Sequence, residues 1–412
     1  MRDLLIGTII GALSLALLPG PALAQEVKGK AFDAARFNKG RVTIITGGLE
    51  YVHNTYLRLA GEMASVLNRE GELRLLPMMG GGPVDNIRDL LFLEGVDVGV
   101  VHSDVLTFLK NHDSLPEAQR KLKYIAKLYD EYFHIIANKD IKSVIDLDGR
   151  KVVVGSTASA GSTVSAVTLF ELLGIKPDYQ LGDWKGAVRR IKQGEAAAMV
   201  YSTVRGSKFV KEIESNQALK LLPLPYTDEL SGTYARAEFT GADYPNLVPP
   251  GRGISTLQFA AIMAVYDWKP ESQRYKNVAT FTTNLFDRVE DLQQPPYHER
   301  WKAFTPAAEV RGWTRFGPAQ DWLDRRREAE RRFALAKEAA QRLELGVDAA
   351  ALKALRAAVT EGSDPRTTQI YKAFAAYMRE SGGMAGASEE DLLELFLSFA
   401  EWQAGKPATS AN

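Results

Sequence analysis

Short apolar runs alternate with helix-period segments through the first two hundred residues, and no other feature constrains the fold as strongly. Strand-like runs occur at Arg41–Thr46, 73–78 and 96–101, and each is followed by apolar residues at helical spacing. A second series begins at Lys151, and the apolar run 256–265 predicts a later return strand. Strands that alternate with helices in this way indicate parallel βαβ units rather than a sandwich.

This order of elements predicts two α/β lobes that are joined by crossing segments. Residues 124–129 and 133–137 are predicted as two separate strands near the crossing. We predict that residues 41–138 together with 251–324 form the first lobe and that residues 139–250 form the second.

The last part of the chain has a different composition, rich in Ala, Glu, Lys, Arg and Leu. Ala329, Phe333 and Ala336 recur at spacings of three and four, which is the pattern of one helix face. Ser388 followed by Asp391 has the form of a capping box at a helix start. We predict that residues 325–412 form a C-terminal α-helical appendage, which either packs on the lobes or binds a protein partner.

The N-terminus has the pattern of an export signal. Arg2 precedes an apolar run, and Ala22-Leu23-Ala24 supplies the small residues that a signal peptidase recognises. We predict a signal peptide over residues 1–24 with cleavage after Ala24, and no lipidation because the chain has no cysteine. An uncleaved membrane anchor is the alternative, but the apolar run is shorter than the roughly 20 residues that span a bilayer.

Composition excludes several function classes. Lys and Arg total 51, as do Asp and Glu, so no bulk positive charge attracts nucleic acid. The absence of cysteine removes disulfides, thiolate metal sites and cysteine nucleophiles, and the five His residues show no metal-ligand spacing. No Ser/His/Asp set stands out. We therefore predict no metal, no cofactor and no catalytic residue.

Three turns share one design: a buried strand, a Gly- or Ser-rich turn and then a helix. The first turn of such a helix has free backbone N–H groups and a dipole that favours negative charge. In parallel sheets these turns lie at the carboxyl ends of the strands, so they can converge and bind an anion. Glycine is also common at such turns for conformational reasons alone. The candidate ligand-binding residues of the three turns are Thr46, Gly47, Gly48, Gly81, Gly82, Ser156, Ser159, Ser162 and Thr163.

Several segments together resemble a known family. They are Thr46-Gly47-Gly48, 81–87 with 94–104, 128–131, 146–152, and 155–163 with 172–175. In order and spacing these segments resemble the TAXI-type solute receptors of tripartite ATP-independent periplasmic (TRAP) transporters. The resemblance covers roughly residues 41–325 and not the tail. It implies a two-lobed periplasmic binding protein fold (type II-like), location in the periplasm, and capture of a small organic anion for the membrane subunits of a TRAP-type transporter. The anion is typically an amino acid, keto acid or dicarboxylate-like compound.

The resemblance adds Ser103, Asp104 and Tyr129 to the candidate ligand contacts. Asp104 can equally be a helix N-cap, and Tyr129 a packing residue of the hinge. Tyr201 and Arg205, near the end of the predicted strand 197–201, complete the candidate set. The Arg205 guanidinium could bind a carboxylate bidentately, or it could face solvent at a helix start.

The chain also departs from the family pattern, which leaves the ligand open. Residues 49–55, 203–205 and 313–318 replace a Gly-Tyr-Tyr-Pro-like stretch, a Gly-x-Pro and a Leu-His-Pro-Gly element. The alternatives are a binding protein for an ABC importer or a sensor kinase, an enzyme on the same two-lobed fold, or a protein with a vestigial pocket that acts through its helical tail.

Overall fold

The computed structural model describes residues 39–47, 55–155, 160–214, 218–342, 365–380, 384 and 386–404. The predicted signal peptide, residues 1–24, lies outside them. The strands are β1 (Arg41–Thr46), β2 (Arg74–Met79), β3 (Val98–His102), β4 (Leu122–Asn138), β5 (Lys151–Val153), β6 (Asp178–Gln180), β7 (Ala198–Thr203), β8 (Leu219–Leu221), β9 (Ala235–Phe239) and β10 (Ile254–Tyr266). The helices are α1 (Thr55–Leu67), α2 (Pro83–Phe92), α3 (Val105–Asn111), α4 (Ala118–Lys121), α5 (Ala160–Leu172), α6 (Trp184–Lys192), α7 (Lys208–Lys211), α8 (Asp228–Ser231), α9 (Gln273–Asp287), α10 (Val289–Leu292), α11 (Gly317–Arg342), α12 (Pro365–Glu380) and α13 (Glu389–Ala404), with 3₁₀ turns at Val144–Leu147 and Glu299–Ala303.

The strands pair in the order β2-β1-β3-β10-β4-β7-β5-β6, with β9 beside β10 and β8 beside β4. Strands β1, β2 and β3 are mutually parallel, as are β5, β6 and β7. Strand β10 is antiparallel to β3 and β4, and β4 is antiparallel to β7. The two parallel groups therefore run in opposite directions, and β4 carries the chain from the first group to the second. Consequently, the carboxyl ends of both groups point into the gap between two lobes.

Strand β4 is one continuous strand, so the prediction of two separate strands was wrong. Residues 130–132, which join the two predicted strands, contain neither glycine nor proline, and nothing in them interrupts the pairing with β10. The first half of β4 contributes to one lobe, and Phe133 and Ile135 in its second half pack in the other. Strand β10 changes lobes between Phe259 and Ala261. Both strands thus change lobes before position 138 and after position 250, which were the predicted limits of the lobes.

Each lobe buries both faces of its part of the sheet. Helices α1 and α9 cover one face of the first lobe through residues such as Met63 and Phe281, and α2 and α3 cover the other. In the second lobe, α5 covers one face through Phe170 and α6 covers the other through Ile191. This arrangement confirms the predicted two-lobed α/β fold. Parallel strands that are covered on both faces are apolar along most of their length, which explains the apolar runs in the sequence.

The C-terminal helices begin inside the first lobe. Helix α11 starts at Gly317, and Ala319 near its start is buried in the core of that lobe. Trp322 donates to Asp287 over 2.8 Å, and the helix then continues past position 325, where the appendage was predicted to start. Helices α12 and α13 contact α11 and share a small core of their own. The predicted appendage is therefore present, but it continues a helix of the lobe.

The predicted capping box at the start of α13 is confirmed. Ser388 Oγ accepts from the Asp391 backbone N–H over 3.1 Å, and Asp391 Oδ2 accepts from the Ser388 N–H over 3.0 Å. The helical face predicted from Phe333 lies on α11, whose side chains there are outside the described residues.

Substitutions in β10, which crosses between the lobes, test this packing. Ile262 on β10 is fully buried, so Ile262→Ala is expected to lower the free energy of unfolding by about 2–5 kcal/mol. Ser255→Ala, on the exposed side of the same strand, should change it by less than about 0.5 kcal/mol. Urea-induced unfolding of the two variants measures both values, and similar losses would contradict the assigned core.

Candidate functional site

The turns at the strand ends meet between the lobes. A Cβ atom added to Gly82 would lie 2.8 Å from Cβ of Ala160, and one added to Gly161 would lie 2.8 Å from the His102 ring. Gly82 and His102 belong to the first lobe, whereas Ala160 and Gly161 begin helix α5 of the second lobe. Only glycine permits so close an approach. The starts of α2 and α5 therefore converge, as the turn pattern predicted.

Four polar side chains form a chain of hydrogen bonds at this meeting point. Tyr56 donates its hydroxyl proton to Glu131 Oε1 over 2.6 Å. His102 Nε2 lies 3.1 Å from that hydroxyl, and His102 Nδ1 lies 3.0 Å from Ser165 Oγ. Because the Tyr56 proton points to Glu131, Nε2 must be the donor to Tyr56. Since Ser165 lies on α5, the chain of bonds joins the two lobes.

Glu131 places a carboxylate at the point where β4 crosses between the lobes. The residue is 6% exposed, and its Oε2 lies 3.5 Å from His102 Nε2. Burial, followed by the charge of Glu131, raises the pKa of Tyr56 well above its usual value, so Tyr56 remains a proton donor. Glu131 can accept further hydrogen bonds, because a carboxylate offers about four lone-pair positions.

A second polar contact joins the lobes beside this chain of bonds. Tyr234 donates to Asp104 Oδ2 over 3.1 Å, and Asp104 is fully buried. Asp104 occupies the N-cap position of α3, but its side chain makes no capping bond. Its carboxylate bonds across to the second lobe instead. Burial raises the pKa of Asp104, and His102, Ser165 and Tyr234 partly oppose that rise.

Helices α3 and α5 also bond to each other outside the gap. Glu171 on α5 accepts from Asn111 Nδ2 over 3.1 Å, and its other oxygen lies 3.2 Å from His112 Nε2. Thr107 and Thr233 hydroxyls lie 3.0 Å apart. The described structure is thus a closed arrangement in which the lobes touch at several separate places.

Tyr129 and Arg300 extend the cluster into the first lobe. The ring of Tyr129, on β4, stacks on Tyr56 with 5.9 Å between centroids. Arg300 donates to the Tyr129 hydroxyl over 3.0 Å, and its guanidinium lies 4.6 Å from the ring centroid. This arrangement keeps a cation beside the tyrosine pair.

The turn that carries Arg205 is hydrogen-bonded to Tyr244, which in turn bonds to the buried His134. His134 Nδ1 faces the carbonyl oxygens of Tyr132 and Tyr201, so Nδ1 is the protonated nitrogen. Its Nε2 then accepts from the Tyr244 hydroxyl over 2.6 Å, and that oxygen accepts from the Gly206 N–H over 2.8 Å. Burial lowers the pKa of His134 to about 4, so the ring is neutral near pH 7.

Arg205 already has partners on its own lobe. Its Nη1 lies 3.9 Å from Asp243 Oδ2, and its guanidinium lies 5.0 Å from the Tyr132 ring centroid. The side chain is 40% exposed, so part of it does face solvent. Tyr201, at the end of β7, packs its ring against Trp184 and Phe209.

The described residues hold no cluster of three or more His, Cys, Asp or Glu that could ligate a metal. Within the same residues, no helix is long and apolar enough to cross a membrane.

Comparison with known families assigns the chain to one of them. The sequence profile of the NMT1-like family matches residues 46–290, more than half of the chain. The chain belongs to the NMT1-like family. This is a family of solute-binding proteins, and the matched residues include every strand end that faces the gap.

Three solved structures resemble this NMT1-like protein at low identity. XAC2383 from Xanthomonas citri bound to chloride ion shares 12% identity, covers 70% of this chain and 96% of its own, and gives a TM-score of 0.39. The GluR0 ligand-binding core from Nostoc punctiforme in complex with (L)-glutamate shares 10%, with 60% and 97% coverage and a TM-score of 0.33. The arginine-, lysine-, histidine-binding protein ArtJ from Geobacillus stearothermophilus shares 12%, with 64% and 99% coverage and a TM-score of 0.35. At these TM-scores the likeness carries no argument about this chain.

The predicted hydroxyl groups stabilise their own turns. Thr46 donates to the Met78 carbonyl over 3.2 Å, and Thr163 donates to the Val154 carbonyl over 3.0 Å. Ser103 Oγ accepts from the Ala260 N–H over 3.0 Å. Their ligand contacts stay predictions: Thr46 and Thr163 already donate their hydroxyl protons, whereas the Ser103 hydroxyl only accepts in this bond. Among the other predicted residues, Gly47 and Gly81 lie in the turns after β1 and β2, Ser162 is buried near the start of α5, and Gly48, Ser156 and Ser159 lie outside the described residues.

Residue-level prediction missed Tyr56, His102, Glu131, Ser165 and Arg300. His102 ends β3 just as Thr46 ends β1, so the same positional reasoning selects it. Glu131 was detectable as an acidic residue inside a largely apolar run. Arg300 carries no local signal, because its role depends on a 3₁₀ turn that reaches β4 from far along the chain.

The buried neutral His134 predicts an acid-sensitive fold. Its pKa of about 4 lies below the roughly 6.5 of an unfolded histidine, so between those values the native state binds fewer protons than the unfolded chain. Stability is therefore complete above about pH 6.5 and falls as pH decreases toward 4, with a loss of about 2 kcal/mol between pH 7 and pH 5. Urea unfolding of wild type and His134→Gln at both pH values measures this. The variant should lose about 2 kcal/mol less than wild type, and equal losses would contradict the assignment.

The contact between Gly161 and His102 predicts that closure is sensitive to a single methyl group. Gly161→Ala places Cβ 2.8 Å from the His102 ring, so the closed arrangement should lose about 1–3 kcal/mol relative to an open one. Small-angle X-ray scattering should show a larger radius of gyration for this variant. Gly61→Ala on α1, where an added Cβ meets nothing within 4 Å, is the matched control and should behave as wild type. A radius that is the same in all three proteins is the contrary result.

Proposed function

We propose that this NMT1-like protein is a periplasmic solute-binding protein of the TAXI type, which captures a small organic anion and delivers it to a TRAP-type transporter. The observation that carries the proposal is the convergence of the starts of α2 and α5 beside the polar cluster of Tyr56, His102, Glu131 and Ser165. Binding requires no chemical conversion of the ligand.

The helix starts explain the preference for an anion. Helix N-termini carry free N–H groups and a partial positive charge, and here the starts of α2 and α5, from opposite lobes, approach each other. The chain has no net charge, so attraction has to come from such local donors. Arg300 adds a full positive charge beside the Tyr129 ring.

Glu131 favours an amino acid among the organic anions. A purely anionic guest would be repelled by a buried carboxylate, whereas an ammonium group would donate hydrogen bonds to it. An amino acid supplies both charges: its carboxylate suits the helix starts, and its amine suits Glu131. Keto acids and dicarboxylates lack the amine and should bind more weakly.

Closure of the lobes provides the signal that a transporter can recognise. Contacts between the lobes form at the gap through His102 and Ser165, and outside it through Glu171. We propose that the ligand shifts the protein toward this closed form by hinge bending of β4 and β10.

The remaining parts of the proposal concern export, organisation and partners. We propose that residues 1–24 are removed, that the mature protein starts at Gln25 and acts in the periplasm, and that TRAP membrane subunits receive the ligand. The lobes correspond to residues 41–138 with 251–324 and to 139–250, apart from the strand segments that cross between them. The C-terminal helices from residue 325 are available to a protein partner. Neighbouring transporter genes would distinguish a TRAP system from an ABC importer or a sensor kinase.

Calorimetry of the protein from Gln25 onward tests the ligand class. The panel contains L-amino acids, the 2-oxo acids with the same side chains, dicarboxylates and phosphate esters. We expect at least one amino acid to bind about tenfold or more tightly than its 2-oxo acid, because a charge-assisted hydrogen bond to Glu131 is lost. Glu131→Gln should reduce this difference. No binding across the whole panel would leave the transport role without support.

A further inference from the structure

Arg300 occupies an unusual position for a charged residue. It lies on the 3₁₀ turn Glu299–Ala303, beyond the residues 46–290 that match the family profile. Its guanidinium donates to the Tyr129 hydroxyl over 3.0 Å and lies over the same ring. Both contacts are with an uncharged group, since burial raises the pKa of Tyr129 far above neutrality.

Within the part of the chain that the structure describes, no carboxylate lies within 4.0 Å of the Arg300 guanidinium. Arg205 and Arg288, in contrast, have Asp243 and Asp291 at 3.9 and 2.9 Å. Arg300 is only partly exposed, and its hydrogen-bond partner among the described residues is the Tyr129 hydroxyl, which carries no charge. Such a group has donors left over, because a guanidinium offers five N–H bonds.

Arg300 lies beside the polar cluster of Tyr56, His102, Glu131 and Ser165. The Tyr129 hydroxyl accepts from Arg300, and the Tyr129 ring stacks on Tyr56 with 5.9 Å between centroids. Tyr56 in turn donates to Glu131 over 2.6 Å. Arg300 therefore lies next to the proposed ligand position.

We propose that Arg300 is a specificity-determining residue whose guanidinium binds a carboxylate of the ligand, with the Tyr129 ring as its platform. The inference rests on the proposed function, since it names the group that recognises the proposed amino acid. Glu131 then binds the ammonium group of the ligand, and Arg300 binds a carboxylate of the same ligand. The negative and positive side chains of the protein thus pair with the positive and negative groups of the amino acid. The planar fork of arginine suits this role better than a lysine would.

Amide analogues separate ligand recognition from a structural role. L-glutamate is the probe, because each of its two carboxylates can be replaced singly by an amide, as in L-glutamine and L-isoglutamine. Calorimetry compares wild type, Arg300→Gln, Arg300→Lys and the control Lys302→Gln, which removes an exposed charge from the same turn. We expect Arg300→Gln to weaken L-glutamate binding by about 10- to 100-fold, with Arg300→Lys in between and Lys302→Gln within about twofold of wild type.

The analogues give the decisive comparison. For the analogue in which the paired carboxylate is an amide, wild type should bind weakly and Arg300→Gln should change affinity by less than about threefold. An equal loss for the acid and for both amides would assign Arg300 a structural role and overturn the proposal. Undiminished binding of L-glutamate by Arg300→Gln would overturn it while leaving the proposed function intact. Failure of wild type to bind any of the three probes, while another amino acid of the panel binds, would also overturn the proposal and leave the proposed function intact. Failure across the whole amino-acid panel would count against the proposed function itself.

Discussion

The two strands that cross between the lobes set the direction of every other strand, and the site depends on that arrangement. Strand β4 runs out of the first lobe parallel to β1–β3 and enters the second lobe antiparallel to β7. The parallel strands of each lobe therefore end facing the other lobe. Turns and helix starts that would otherwise lie on opposite ends of the molecule share one gap as a result.

Polar groups inside that gap are tolerated because they bond to one another. Glu131 accepts a hydrogen bond from Tyr56, Tyr56 accepts from His102, and His102 Nδ1 lies 3.0 Å from Ser165 Oγ, so each of these four groups has a partner. Burying these groups unpaired would cost several kcal/mol, whereas a connected chain of bonds avoids most of that cost. Because the last bond reaches the second lobe, the chain is complete only when the lobes are together.

Glycine allows the lobes to approach this closely. Gly82 and Gly161 lie where any side chain would collide with the opposite lobe, and both stand at the start of a helix. Glycine thus suits these positions for two reasons. Its conformational freedom fits a βα turn, and its missing side chain permits the contact between the lobes. Close contact also brings the starts of α2 and α5 together, which a bulkier turn would hold apart.

Local sequence patterns determined the βαβ units, the Gly-rich turns and the capped helix at Ser388, because these depend on residues a few positions apart. The tertiary structure alone decided which side chains meet. Tyr56, His102, Glu131 and Arg300 come from four separate segments, and nothing in the spacing of such distant residues predicts their contact. The pairing of β4 with β10 across more than a hundred residues brings these segments together, and long-range strand pairing of this kind leaves no short-range periodic signal.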